Sequence, residues 1–153
     1  MKVYETKEIK NISLLGSKGS GKTTLAEAML YECGVIKRRG TVEAGNTVCD
    51  YFPVEKEYGY SVFSTVLYAE FLNKKLNVID CPGADDFVGN AITALNVTDT
   101  GVILVDGQYG VEVGTQNIFR TTEKLNKPVI FAVNQLDGEK ADYDNVMAQM
   151  REA

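Results

Sequence analysis

GSKGSGKT, residues 16–23, is the stretch on which the fold turns. It has the spacing G-x-x-x-x-G-K-[ST]. The run before it, IKNISLL (residues 9–15), alternates and then turns apolar, which predicts a buried strand. The run after it, KTTLAEAMLYECG, places Leu25, Ala28 and Met29 at helical spacing and stops at Gly34. Strand, glycine loop, helix is the context that gives the pattern physical meaning. Glycines let successive backbone N–H groups curl around phosphate oxygens, and the helix start adds its positive dipole end. Lys22 carries a long cation toward the β- and γ-phosphates, and the Thr23 hydroxyl can ligate Mg²⁺. With glycine near 7% of residues, the pattern arises by chance in roughly one such chain in a few hundred, before its context is demanded. Gly16, Ser17, Lys18, Gly19, Ser20, Gly21, Lys22, Thr23 and Thr24 are therefore the candidate phosphate site, and Lys22 the candidate catalytic cation.

Outward from this loop the chain alternates. Val35 to Tyr58 has no sustained period and reads as a long irregular loop, while Ser61 to Phe71 is rich in β-branched and aromatic residues. A turn at Asn73-Lys74-Lys75 predicts a hairpin with a strand over Leu76–Ile79. Helices are then predicted over about 86–96, 114–125 and 142–151, and strands over 100–105 and 129–133. That order predicts an α/β fold with a mixed, mostly parallel sheet and helices on both faces.

Composition narrows the function. At 153 residues, 44% apolar and 24% charged, the chain is one domain's worth of ordinary globular protein. A net charge of −5 argues against an extended basic surface and sequence-specific DNA binding. Three widely spaced cysteines predict free thiols in a reducing cytoplasm. The sequence has no apolar run long enough to cross a membrane and no secretory signal at its start. Histidine is absent, so any proton transfer here runs without imidazole.

Two further stretches carry chemistry. LNVIDCPGADDF, residues 76–87, delivers Asp80 from a strand end into a Cys81-Pro82-Gly83 turn, followed by Ala84. NQLD, residues 134–137, follows the strand VIFAV. The glycine loop alone does not separate a kinase from a GTPase or ATPase, and NQLD alone also fits a turn that caps a helix. In combination they favour guanine. The Asp137 carboxylate can accept from guanine N1–H and from its amino group, whereas adenine presents an acceptor at N1. Paired hydrogen bonds of that kind reject a mismatched partner by about 10⁴-fold or more.

With these three motifs in this order, the chain resembles the GTP-binding domain of a translational GTPase, most closely elongation factor G and its ribosome-protection relatives. RGTVEAGNTVCDYFPVEKEYGYSV is similar to that group's first switch region, with Gly40, Val42, Gly45, Asp50, Glu55, Glu57 and Gly59 at matching positions. The resemblance covers essentially all 153 residues. It implies a P-loop NTPase G domain that binds GTP/GDP with Mg²⁺, part of a longer, monomeric, cytoplasmic factor whose further domains engage the ribosome. Residues 1–153 would be its N-terminal fragment, without the last base-contacting loop and strand. By resemblance, Thr23 and Ser61 ligate Mg²⁺, Asp80 holds it through a water, and the Gly83 amide senses the γ-phosphate. Asn134, Gln135 and Asp137 hold the base.

The sequence also departs from the family. Ser61 replaces a threonine, Gln135 replaces the lysine of NKxD, and Gly19 replaces an aspartate of a monovalent-cation site, with the Lys18 ammonium a candidate substitute. Gln135 predicts weaker guanine nucleotide affinity. The family's DTPGH histidine, which orients the attacking water, is Ala84 here. The expectation is a GTP-binding switch with impaired hydrolysis. The alternatives are a fully active GTPase or ribosome-protection protein whose water is positioned by another group and, from a different class, a small-molecule or nucleoside kinase.

Overall fold

The structure is a computed structural model that describes residues 2–152. Its strands are β1 (Ile9–Leu15), β2 (Thr65–Phe71), β3 (Lys74–Asp80), β4 (Thr100–Asp106) and β5 (Val129–Asn134). Its helices are α1 (Lys22–Glu32), the short α2 (Pro53–Tyr58), α3 (Val88–Val97), α4 (Val113–Lys124) and α5 (Tyr143–Glu152). The sheet order is β2-β3-β1-β4-β5. β2 pairs antiparallel with β3, and every other pairing is parallel.

Successive residues of the central strands point to opposite faces, and this splits the core in two. Leu14 and Leu104 go down onto one face with Ala26 and Leu30 of α1, and with Leu67, Ala69 and Val78 of the hairpin. Leu15, Ile103 and Val105 go to the other, against Ala91, Ala94 and Leu95 of α3, Ile118 of α4 and Val146 of α5. Both faces of β1 and β4 are thus covered in the core, which is why β4 reads as a continuous apolar run over residues 102–105 and β1 turns apolar at Leu14 and Leu15. The strand order reverses at β1, so the loops after β1, β3 and β5 meet at the carboxyl edge of the sheet.

Three local expectations are corrected. The hairpin turns on Leu72-Asn73, both at positive φ, and not on Asn73-Lys74-Lys75. A two-residue turn of that conformation matches the strands' twist, which lets Phe71 pair with Lys74 and Glu70 with Lys75. β2 begins at Thr65 and not at Ser61, because Ser61, Val62 and Phe63 are tied elsewhere by side chains. The segment 35–58 is also not wholly irregular. Pro53 starts α2, and Gly59, in the left-handed region, stops it.

That segment is held by two buried carboxylates, one from α1 and one of its own. Glu27 of α1, 1% exposed, accepts from the Gly40 amide at 2.7 Å and from the Val48 amide. Glu55 accepts from the amides of Phe52, Val62 and Phe63 at 3.0–3.3 Å. A loop without periodicity thereby acquires fixed ends.

Candidate nucleotide and metal site

The loops at the carboxyl edge enclose a cleft of about 530 Å³, lined by residues of the glycine loop and α1, of the segment 42–61, and by Gly83, Asn134, Gln135 and Asp137. Lys18, Gly19, Gly21, Lys22, Thr23 and Thr24 are on its wall; Gly16, Ser17 and Ser20 lie beneath, buried. The Ser17 hydroxyl pairs with that of Thr115, 3.1 Å away, fixing the loop to α4. Gly21 precedes α1 with φ of 90°, a conformation that L side chains rarely adopt, and the space where its Cβ would stand is filled by the Asn134 carboxamide.

Lys22 is buried at the start of α1. Its Nζ donates to the carbonyls of Gly16 at 2.9 Å and Ser17 at 2.8 Å, curling the loop around the ammonium. Burial lowers its pKa, and the nearby Asp80 charge opposes that shift. Gly83 approaches closely: a Cβ there would meet the Lys22 ammonium and would lie 2.8 Å from the Lys18 amide nitrogen. The turn after β3 thus sits directly on the glycine loop.

The candidate metal oxygens converge. Thr23 Oγ1 donates to Asp80 Oδ2 at 2.7 Å and is 3.3 Å from Ser61 Oγ. Ser61 in turn donates to Asp50 Oδ1 at 2.6 Å. Asp80 is buried, and desolvation lifts its pKa to about 6 against the opposing Thr23 hydrogen bond and Lys22 charge. Its Oδ1 is buried without a hydrogen-bond partner. An unpaired carboxylate oxygen beside two hydroxyls is the hard, all-oxygen donor set that Mg²⁺ takes, so the residues present fit the ion. No cluster of three or more His, Cys, Asp or Glu occurs among the described residues, as expected where hydroxyls supply most of the donors.

On the loop after β5, Asn134 donates its side-chain amide to the Ser20 carbonyl at 2.9 Å, and Gln135 donates to the Gly19 carbonyl. Gln135 sits in the left-handed region at φ 59°. The two carboxamides tie the loop after β5 to the glycine loop, and Asp137 is left exposed on the cleft wall. Ala84 follows Gly83 at the entry to a short 3-10 turn, Asp85–Phe87, and is not part of the cleft lining. The Lys18 ammonium lies 3.7 Å from the centroid of the Tyr60 ring. Sequence reasoning missed the anchoring role of Glu27 and the placement of Tyr60 and Glu43 on the cleft. Spacing carries no signal for any of them, although the motif-like positions of Asp50 and Glu55 were visible.

The fold and site define a phosphate-loop nucleotide-binding domain with a mixed sheet. Residues 7–153 match the family model of the elongation factor Tu GTP binding domain, and the chain belongs to that family. It is 35% identical over 144 residues to the elongation factor G-like protein of Thermotoga maritima, covering 94% of this chain and 20% of that protein. To the mitochondrial ribosome-releasing factor 2 of Candida dubliniensis it is 36% identical over 141 residues, covering 92% and 18%. To tetracycline resistance protein TetP of Clostridium perfringens it is 34% identical over 145 residues, covering 95% and 22%. A crystal structure of a Thermus thermophilus protein superposes with a TM-score of 0.91 at 37% identity, over 95% of this chain and 22% of that one. The chain thus spans about a fifth of the length of these relatives. Among the described residues no helix is long and apolar enough to cross a membrane.

Proposed function

We propose that this chain is the N-terminal GTP-binding module of a longer, monomeric, cytoplasmic factor that acts on the ribosome, and that it binds Mg²⁺–GTP but hydrolyses it poorly. The observation that carries the reading is that Lys22, Thr23, Ser61 and Gly83 line the same cleft as Asn134, Gln135 and Asp137, with Asp80 hydrogen-bonded to Thr23. Thr23 and Ser61 would ligate Mg²⁺ and Asp80 would hold it through a water. When bound, the ion neutralises charge on the β- and γ-phosphates. Lys22 supplies a fixed cation to the same phosphates, the amides of residues 16–24 cradle them, and the Gly83 amide faces the third. The carboxylate of Asp137 pairs with guanine, and the Asn134 and Gln135 carboxamides hold the base-side loop against the phosphate side.

Water activation is where this site falls short. A positioned proton-handling group contributes about 10²–10⁴ in rate, or roughly 3–5 kcal/mol of barrier. Ala84 has only a methyl at that position, and the chain contains no histidine. Asp85 and Asp86 are exposed, and a carboxylate turned toward a γ-phosphate would be repelled. GTP binding that orders the segment 35–60, followed by docking, then does the useful work. The relatives divide among elongation factor-like, ribosome-releasing and tetracycline-resistance proteins, which supports action on the ribosome more than any one of those tasks.

The test is single-turnover GTP hydrolysis by the full-length protein with ribosomes. A slow rate that rises at least tenfold in Ala84→His supports the reading. A fast native rate that Ala84→His leaves unchanged means another group positions the water, and tight adenine rather than guanine nucleotide binding would return the chain to the kinase class.

A further inference from the structure

Lys18 is an exposed lysine in the middle of the glycine loop, and its ammonium lies over the face of the Tyr60 ring, 3.7 Å from the centroid. Tyr60 is half-buried and its ring lies 5.9 Å from that of Tyr58. The next residue is Ser61, whose hydroxyl lies between Thr23 and Asp50. On the other side the Lys18 backbone abuts Gly83. The contact therefore bridges the glycine loop and the segment that delivers Ser61, beside Gly83.

We propose that Lys18 and Tyr60 form a latch that closes the segment 58–61 over the end of the cleft where a third phosphate lies, and so set the preference for GTP over GDP. This rests on the guanine nucleotide reading of the cleft. Both are positioning residues: they act through Ser61, which only the closed segment presents to the metal oxygens. An ammonium over an aromatic face at a partly exposed site changes an equilibrium by about two- to sixfold. That change applies to the closed segment, and a diphosphate, which does not reach this end, does not draw on it.

The test uses the full-length protein with fluorescently labelled GDP and GTPγS at fixed Mg²⁺, read as the ratio of the two affinities. Lys18→Met keeps the stem and removes the charge; Tyr60→Leu keeps apolar bulk and removes the aromatic face; Tyr60→Trp keeps the face. The GTPγS-over-GDP ratio is expected to fall about two- to sixfold in Lys18→Met, in Tyr60→Leu and in the double variant alike, and to hold in Tyr60→Trp. Losses that multiply in the double variant overturn the latch, because the two side chains then act independently. An equal loss for both nucleotides in Lys18→Met, with Tyr60→Leu silent, also overturns it and makes Lys18 a direct phosphate ligand. If the unmodified protein binds neither nucleotide, the reading of the cleft fails and the latch with it; binding with an unmoved ratio removes the latch alone.

Discussion

Removing the Glu27 carboxylate should release a specific part of the chain rather than weaken the whole evenly. Glu27 lies on the buried side of α1 and accepts from two backbone amides, Gly40 and Val48, that have no helix or strand to join. A hydrogen bond to a charged group contributes about 1.5–3 kcal/mol, so holding the loop in place without its acceptor would cost about 3–6 kcal/mol. The loop has a less costly response, which is to leave the surface and let water take both amides. Glu27→Ala should therefore lower global stability by only about 2–3 kcal/mol, while local opening at these amides rises about tenfold for each 1.4 kcal/mol lost. Glu27→Gln keeps one acceptor and turns an NH₂ group toward the other amide, and an intermediate effect is expected. Hydrogen exchange read residue by residue, with urea unfolding as the global measure, checks this. Exchange at Gly40 and Val48 within twofold of the unmodified protein, alongside a clear fall in stability, would refute the anchoring argument and leave Glu27 as ordinary buried volume.

Two further outcomes follow from the site. The Asp80 carboxyl titrates near 6, above the ordinary carboxylate value, because burial disfavours its charge. The metal-free fold then binds more protons than the unfolded chain between about pH 4 and 6, so its stability rises as pH falls through that window. Mg²⁺ affinity should move the opposite way, falling as pH drops below about 6, and Asp80→Asn should weaken both trends in thermal melts recorded with and without Mg²⁺, the remainder of the stability trend coming from Asp50, whose pKa burial also raises. Gln135→Ala should lower guanine nucleotide affinity by about two- to tenfold, since the hydrogen bond to the Gly19 carbonyl contributes about 0.5–1.5 kcal/mol. Isothermal titration checks this, and unchanged affinity would mean that the glycine loop keeps its shape without Gln135.

Much of the molecule was legible because its signals are local. The strand, glycine loop and helix around Gly16 to Thr23 are set by short-range geometry, and β1, β4 and the helices that cover them show in apolar periodicity. The hairpin was recognisable but its turn was placed one residue late, since lysines suggest a turn by polarity whereas the actual turn depends on two residues that accept positive φ. The segment 35–64 was the least legible. Its order comes from Glu27, Asp50 and Glu55, each bonding to groups outside regular ladders, and Glu27 appears in sequence as one more acidic residue on a helix.

By itself the sequence determined the fold class and the family, because the glycine loop and the DCPG and NQLD stretches are written in residue types at fixed short spacing. Tertiary structure alone decided that Thr23 meets both Ser61 and Asp80, that Asp80 keeps a buried oxygen without a partner, and that Lys18 lies on Tyr60. These contacts join residues 38 to 57 positions apart, and only the order of strands across the sheet brings such distant loops to one edge.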